Sequence, residues 1–301
     1  MSHQDASVKS IIFALLANLG IAITKTIAAV LTGSGAMLAE SIHSFADCGN
    51  QGLLFLGLKA SKRNPDEEHP LGYGKSVYFW SFIVALMLFS MGGLFSMYEG
   101  IHKLSTHEGL SSPLIAIVVL SLSMVLEGMS LWGCINQIKK INHHSSLWAW
   151  IKNSRQSELI VVLGEDVAAL FGLFFALIAV LLSMITGNPV FDAMGSIIIG
   201  VLLIVVSVFI AIKVKSLLIG QSADEETREN IRLFINEQPQ VEAVLNLITI
   251  QLGSDIMVAV KAKMKPAESS EQLIDNINAC EKALRKTNPA IRWIFFEPDK
   301  E

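Results

Sequence analysis

Charged residues are scarce in this chain, and their scarcity excludes an ordinary soluble domain. Of its 301 residues, 17% are Asp, Glu, Lys or Arg, whereas 52% are hydrophobic, and the mean hydropathy is +0.51. Soluble domains contain about 25% charged residues on average. The composition therefore predicts an integral membrane protein. The net charge of −4 indicates no basic surface of the kind that binds nucleic acid.

Cysteines and catalytic side chains are also scarce, which excludes two further classes. The three cysteines, Cys48, Cys134 and Cys280, share no close spacing, so neither a disulfide framework nor a cysteine-based metal site is supported. We interpret them as small buried hydrophobic residues. In the loops, no nucleophile stands at a plausible spacing from a base, so the sequence does not indicate an enzyme.

Long apolar runs occupy the first two thirds of the sequence. A membrane-spanning helix needs about 20 mainly apolar residues. Six segments meet that length, at residues 8–32, 36–60, 76–103, 112–138, 157–185 and 189–215. The first is too long for the apolar region of a signal peptide and has no small-residue cleavage site, so we expect it to be retained. These segments predict a six-helix transmembrane domain over residues 1–219.

Basic residues mark the loops on one side of this domain. They flank the second and fourth loops and follow the sixth segment: Lys62, Arg63, Lys75, Lys139, Lys140, Lys152, Arg155, Lys213 and Lys215. The odd-numbered loops contain only Lys103. By the positive-inside rule, the even-numbered loops and both termini are expected to be cytoplasmic.

Polar residues become frequent toward the C-terminus. Ser222 fits a helix N-cap with Glu225 at the capping-box position, and residues 270–286 show a second amphipathic helical pattern. Strand patterns cover residues 244–252, 255–264 and 291–296, with a Gly-Ser turn between the first two. The order α-β-β-α-β predicts a small cytoplasmic α+β domain, ferredoxin-like, over residues 220–301.

The second apolar segment contains a stripe of polar residues. Glu40, His43, Asp47 and Asn50 are spaced by three, four and three residues, so they share one face of a helix. An ionisable side chain at membrane depth costs several kcal/mol, and its usual role is in an ion or proton pathway. The stripe therefore predicts such a pathway and requires a partner.

The fifth segment supplies that partner in Glu165 and Asp166. Adjacent residues point about 100° apart on a helix, so at most one of the two aims squarely at any one site. With His43 and Asp47, such an acid would complete a small cage of nitrogen and oxygen ligands for Zn²⁺, Fe²⁺, Mn²⁺ or Co²⁺. The competing interpretation is a buried hydrogen-bonded pair that holds two helices together.

These motifs resemble those of the cation diffusion facilitator transporters over nearly the whole chain. His43 and Asp47 match the first ligand pair of that family, and Asp166 matches the last acid of the second pair. Residues 66–75 are similar to its second-loop motif, and residues 191–196 to the start of its sixth helix. The motif Ala-Glu-Ser-Ile-His-Ser-Phe-Ala-Asp is most similar to sequences of the branch that includes the animal zinc transporter nine group and its bacterial relatives.

The sequence departs from the family pattern at the fifth segment. The family usually has His four residues before Asp166, and this chain has Val162, which cannot bind a metal. The resemblance then implies three ligands, His43, Asp47 and Asp166. Glu165 is the candidate for a fourth, either directly or through water.

Two other metal sites of the family are also incomplete. Asp66 and His69 match two positions of its second-loop site, but Tyr73 replaces the second His, so we expect weak binding or only a turn that orients the third segment. The binuclear cluster of its soluble domain is interpreted as lost. Its positions carry Leu245, Lys261 and Phe295, and only Glu297 retains an acid. The resemblance implies that this domain serves as a homodimer contact.

Two further charges lie within apolar segments. We expect Lys25 to extend its ammonium group toward the membrane interface. Glu127 is interpreted as a polar helix contact or a support for the ligands rather than a direct participant, because Gly128 and Ser130 permit close helix approach.

Taken together, the residues and the resemblance predict export of a divalent metal ion in exchange for protons. Zn²⁺ is favoured, and Fe²⁺, Co²⁺ and Mn²⁺ stay open. The metal is the transported substrate, and no cofactor is implied. The expected location is a bacterial inner membrane, in contact with lipid. The alternative is a metal-gated membrane sensor or scaffold that binds metal without transport.

Overall fold

The computed structural model describes residues 3–106, 112–141 and 146–300, with the side chains of the first helix described from Asn18. The helices before the sheet are α1 (His3–Thr32), α2 (Gly35–Ser61), α3 (Ser76–Met87), a π-helical segment (Leu88–Leu94), α4 (Phe95–Thr106), α5 (Pro113–Ile141), α6 (Leu147–Asn153), α7 (Ser157–Thr186) and α8 (Val190–Gly220). All six predicted apolar segments are therefore helical. The short helix α6 and the π-helical segment were not expected from the sequence.

Four helical stretches are long and apolar enough to cross a membrane. They lie within Ser76–Thr106, Pro113–Lys140, Ser157–Thr186 and Val190–Asn236, the last of which contains α8, in the part of the chain whose side chains are described. In α1 the described apolar stretch is shorter, Asn18–Thr32. The polar stripe interrupts the apolar character of α2. The chain is thus mostly helical, with several helices suited to a membrane.

Close backbone contact joins the π-helical segment and α4 to α8. A Cβ atom at Gly93 would lie 2.5 Å from Ile204 Cγ1 and 3.3 Å from the Gly200 carbonyl oxygen. At Gly100, a Cβ would lie 2.7 Å from the Ala193 carbonyl oxygen. Small residues allow membrane helices to approach closely where lipid gives no hydrophobic drive for association. These glycines therefore fix the distance between the two helices.

A buried ion pair ties the α1–α2 turn to α4 and α8. The Asp192 carboxylate accepts hydrogen bonds from Ser34 Oγ at 2.5 Å and from the Gly35 amide at 2.7 Å. Lys103 Nζ lies 3.0 Å from Asp192 Oδ2 and also donates to the Gly33 carbonyl. The side chains of Asp192 and Lys103 are 1% and 8% exposed. The charge is therefore compensated inside the protein.

The chain forms two compact units. The larger contains α1, the π-helical segment, α4, α5 and most of α2, α3, α7 and α8. The smaller contains residues 57–79, α6 and the chain from Val214.

The smaller unit contains the predicted α+β elements in the predicted order. They are α9 (Glu225–Asn236), β1 (Val241–Leu252), β2 (Asp255–Met264), α10 (Ser270–Thr287) and β3 (Ile291–Asp299). The sheet order is β1-β2-β3, with an antiparallel and then a parallel pair. Apolar residues of the two helices and one sheet face, including Ile235, Val258 and Leu284, form its core.

The expected N-cap at Ser222 is wrong. Asp224 caps α9 by accepting a hydrogen bond from the Thr227 amide at 2.9 Å. The Ser222 hydroxyl instead lies 2.7 Å from Thr249 Oγ1 on β1. The Ser222 side chain, which the local pattern favoured as the cap, therefore makes a tertiary contact with β1 instead.

The other face of the sheet exposes apolar side chains. Ile248, Ala259 and Phe295 are directly paired across the three strands, so they lie in one row on one face. Ile248 and Phe295 are 51% and 57% exposed. Large exposed apolar side chains in one row are typical of an interaction surface.

Replacing Asp192 with Asn should destabilise the larger unit. The substitution keeps the shape but leaves the buried Lys103 ammonium without its counter-charge, and breaking such a pair costs about 3–5 kcal/mol. Thermal unfolding of the purified protein should show a lower melting temperature. Asp275→Asn, at an exposed position of α10, is the control and should change little. Equal melting temperatures for both variants would contradict the assignment.

Candidate metal transport site

The polar stripe of α2 is buried as a whole. Glu40 and Asn50 are fully buried, His43 is 1% exposed, and the Asp47 side chain is 15% exposed. His43 Nδ1 lies 3.6 Å from Asp47 Oδ1, one helical turn apart. Among the described residues, neither ring nitrogen of His43 has a hydrogen-bond partner, and Asp47 Oδ1 also has none. Buried ligand atoms without partners are suited to a cation.

The two acids of α7 point to different neighbours, as adjacent helical residues must. Glu165 Oε1 accepts a hydrogen bond from Asn50 Nδ2 of α2 at 2.6 Å. Asp166 Oδ1 accepts one from Ser130 Oγ of α5 at 3.2 Å. Asp166 Oδ2 is buried and has no partner within the described chain.

A cavity of about 50 Å³ lies among α1, α2, α5 and α7. Its lining residues are Asn18, Ile21, Ser44, Asp47, Gln51, Glu127, Ser130, Val162, Glu165, Asp166 and Ala169. A single water molecule needs about 10–15 Å³ of cavity volume, so the cavity can hold a cation with part of its hydration shell. Four of the described lining residues are carboxylates and none is basic. The cavity is therefore strongly acidic.

The structure brings three of the predicted transport-site residues, Asp47, Glu165 and Asp166, to this one cavity. His43 contacts Asp47 but is not part of the cavity wall. Over the described chain, no three His, Cys, Asp or Glu side chains meet at one point. Like charges separate when no cation lies between them. Binding a metal would therefore require these side chains to move inward.

Glu127 also lines the cavity. From the sequence we expected Glu127 to be a polar helix contact or a support for the ligands, whereas its position places it beside the three predicted acids. The sequence does contain a pattern that indicates this position. Ser123, Glu127 and Ser130 are spaced by four and three residues, so they form a polar stripe on one face of α5.

The expectation that Lys25 extends to the interface is wrong. Its side chain is 0% exposed, and its Nζ lies 3.4 Å from Glu40 Oε2 and 2.8 Å from Ser44 Oγ. Glu40 on α2 offers a counter-charge at the same depth as Lys25 on α1, so the ammonium group is neutralised in place.

In the second loop, Asp66 and His69 form part of a local turn. The Asp66 carboxylate accepts hydrogen bonds from the His69 amide at 2.8 Å and from the Tyr73 hydroxyl at 2.7 Å. The bond from Tyr73 lowers the pKa of Asp66 and raises the pKa of Tyr73. The Arg63 guanidinium lies over the Tyr73 ring at 4.2 Å. Tyr73 thus engages the acid where the family has a metal-binding His.

A fixed charge pair on the sheet includes Lys261, one of the positions that the resemblance assigns to the family's metal cluster. Lys261 on β2 forms an ion pair with Asp299 on β3 and is the register partner of Glu297. The hydrogen bond to Asp299 raises the pKa of Lys261. Leu245 and Phe295 are partly exposed hydrophobic residues. The Lys261 ammonium group therefore supplies a fixed positive charge, and Leu245 and Phe295 offer no metal ligands.

Comparison with known sequences gives a family for this architecture. A family model described as the cation efflux transmembrane domain matches residues 11–219. The chain belongs to the cation efflux family. The prediction of a cation diffusion facilitator related to the zinc transporter nine branch is thereby confirmed. Cation efflux proteins form a family of transporters, consistent with the absence of an enzymatic pattern in the sequence.

Similar proteins include two named Proton-coupled zinc antiporter SLC30A9, mitochondrial. The one from Xenopus laevis is 32% identical over 313 residues, which cover 91% of this cation efflux chain and 56% of the relative. The one from Homo sapiens is 30% identical, with 91% and 55% covered. Metal tolerance protein C4 of Arabidopsis thaliana is 32% identical, with 74% and 49% covered. The chain spans about half the length of these curated relatives.

Replacing Tyr73 with His should create metal binding in the second loop. The change releases Asp66 from the Tyr73 hydroxyl and adds the third ligand of the family motif beside His69. Titration of Zn²⁺ into the purified protein should show one more bound ion per chain than in the native protein. The control Tyr73→Phe removes the same hydrogen bond without adding a ligand. If it gained the same ion, the explanation would be wrong.

Proposed function

We propose that this protein exports a divalent transition-metal cation, with Zn²⁺ preferred, from the cytoplasm in exchange for protons. The observation that carries the proposal is the acidic cavity. Four carboxylates line it, none of its described lining residues is basic, and it lies among apolar helices of the larger unit. Such a cavity is stable only when a cation or protons occupy it.

In this proposal the metal ligands are His43, Asp47 and Asp166, with Glu165 as the fourth. Asp47 and Asp166 each have an oxygen without a partner in the described structure, and His43 adjoins Asp47. Glu165 accepts a hydrogen bond from Asn50 and must exchange it for the metal. The loop residues Asp66 and His69 hold metal only weakly.

Proton coupling follows from competition for the same atoms. When the metal leaves, four carboxylates remain around one buried cavity without a counter-charge, and protons are the remaining cations small enough to neutralise them. Metal and protons therefore alternate at one set of oxygens. The membrane potential, about 2.3 kcal/mol per charge per 100 mV, favours export when more proton charge enters than metal charge leaves.

The proposed arrangement places residues 1–219 in the membrane as six spans and residues 220–301 in the cytoplasm, with both termini cytoplasmic. Two copies would associate through the exposed apolar row of the sheet, Ile248, Ala259 and Phe295. A bacterial inner membrane is the proposed location. The SLC30A9 relatives are named as mitochondrial proteins, and that description applies to them.

Transport in proteoliposomes should depend on the ligands. Asp166→Ala and His43→Ala should each slow Zn²⁺ uptake into acidic vesicles by at least about tenfold, because losing even a group that supports a metal ligand costs about 10- to 100-fold in affinity. Luminal pH, read with a trapped dye, should rise as metal enters. Asp275→Asn is the control. Metal movement without a luminal pH change would refute antiport, and metal binding without movement would favour a sensor.

Replacing Val162 with His should strengthen the site. Val162 lines the cavity four residues before Asp166, so an imidazole there would add the ligand that this chain lacks. Nitrogen ligands favour Zn²⁺ over Mn²⁺. The ratio of Zn²⁺ to Mn²⁺ affinity, measured by competition titration, should rise. Val162→Asn, which adds a polar group of similar size without an imidazole, is the control, and an equal rise there would contradict the assignment.

A further inference from the structure

Lys25 and Glu40 form a fully buried ion pair between α1 and α2 that the proposed ligand set does not include. Their charged atoms, Nζ and Oε2, are 3.4 Å apart, and both side chains are 0% exposed. A buried pair of this kind costs desolvation energy and gives little net stability compared with apolar packing. Stability alone is therefore a weak reason for charges at this place.

The pair is connected to the wall of the cavity through Ser44. Lys25 Nζ donates a hydrogen bond to Ser44 Oγ at 2.8 Å, and Ser44 lines the cavity together with Asp47. A positive charge therefore lies directly behind the surface that would face the metal. In a medium of low dielectric constant, an ammonium group at this range repels a dication strongly.

Glu40 is held in place from a third helix. A Cβ atom at Gly172 of α7 would clash with Glu40 Oε1, so the carboxylate fills the space that the glycine leaves. The same helix carries Glu165 and Asp166. The position of the carboxylate beside Lys25 is thus fixed by close contact with α7 and by the ammonium group itself.

We propose that Glu40 is a positioning residue that neutralises Lys25, so that a dication can bind in front of Ser44 and Asp47 without repulsion. This inference rests on the proposed function. The two members of the pair then have unequal effects on metal affinity. Removing the acid exposes the site to an uncompensated ammonium group, whereas removing the lysine takes that ammonium group and its repulsion away.

The test uses three variants of the full chain in lipid nanodiscs, with Zn²⁺ affinity measured by titration. Glu40→Gln should weaken binding about tenfold or more, by the repulsion that a unit charge exerts on a dication across a few ångströms of protein. Lys25→Met should bind as tightly as the native protein or more tightly. The double variant should return to within about threefold of the native affinity, since neither charge is then unbalanced.

A purely structural role predicts a different pattern. Both single variants would then weaken binding by similar factors, and that result would overturn the inference, as would an unchanged affinity in Glu40→Gln. The matched control is Lys103→Met, which breaks the buried Lys103–Asp192 pair of the same unit. Neither residue belongs to the described lining of the cavity, so this change should lower the melting temperature without changing affinity. If the native protein binds no Zn²⁺, or if Asp166→Ala binds it equally well, the proposed function itself fails.

Discussion

A charge inside an apolar membrane domain needs a counter-charge, and this constraint explains where the polar residues of the larger unit lie. Two acids meet lysines, Glu40 with Lys25 and Asp192 with Lys103. Within the described chain, the hydrogen bonds to the cavity acids Glu165 and Asp166 come from neutral amide and hydroxyl groups. The first group of charges is satisfied by the protein itself. The second group has no basic partner among the described residues that line the cavity.

The cavity acids come from three helices, α2, α5 and α7. A cation that gathers their oxygens would draw these helices together, and loss of the cation would let the acids separate. Binding at one site is thus coupled to helix position, which is the requirement for exposing a site first on one side and then on the other. Val162 makes the proposed site rich in oxygen, so a preference for Zn²⁺ would depend on whether His43 turns toward the cavity with Asp47.

Local sequence patterns predicted the helices and strands. The partners of individual side chains depended instead on contacts between distant parts of the chain. Runs of apolar residues located the helices to within a few residues, and the Gly-Ser turn located the hairpin of β1 and β2. Polar spacing on α2 identified Asp47, which lines the cavity, and His43 beside it. The role of Lys25 was missed because its partner lies on another helix, and periodicity carries no information about depth. At Ser222, the local pattern fitted a helix cap, but its hydroxyl lies 2.7 Å from Thr249 Oγ1 on a distant strand, and Asp224 caps the helix instead.

The π-helical segment at Leu88–Leu94 sets the rotational register of the helix that follows it. Such a segment takes up one extra residue, so everything after it is turned by about 100° relative to an unbroken α-helix of the same sequence. With that turn, Gly100 packs against α8 and Lys103 reaches Asp192. The irregularity near the middle of the membrane helix thus determines which side chains lie at its far end. A chain one residue shorter there could form an unbroken α-helix and keep the same ion pair.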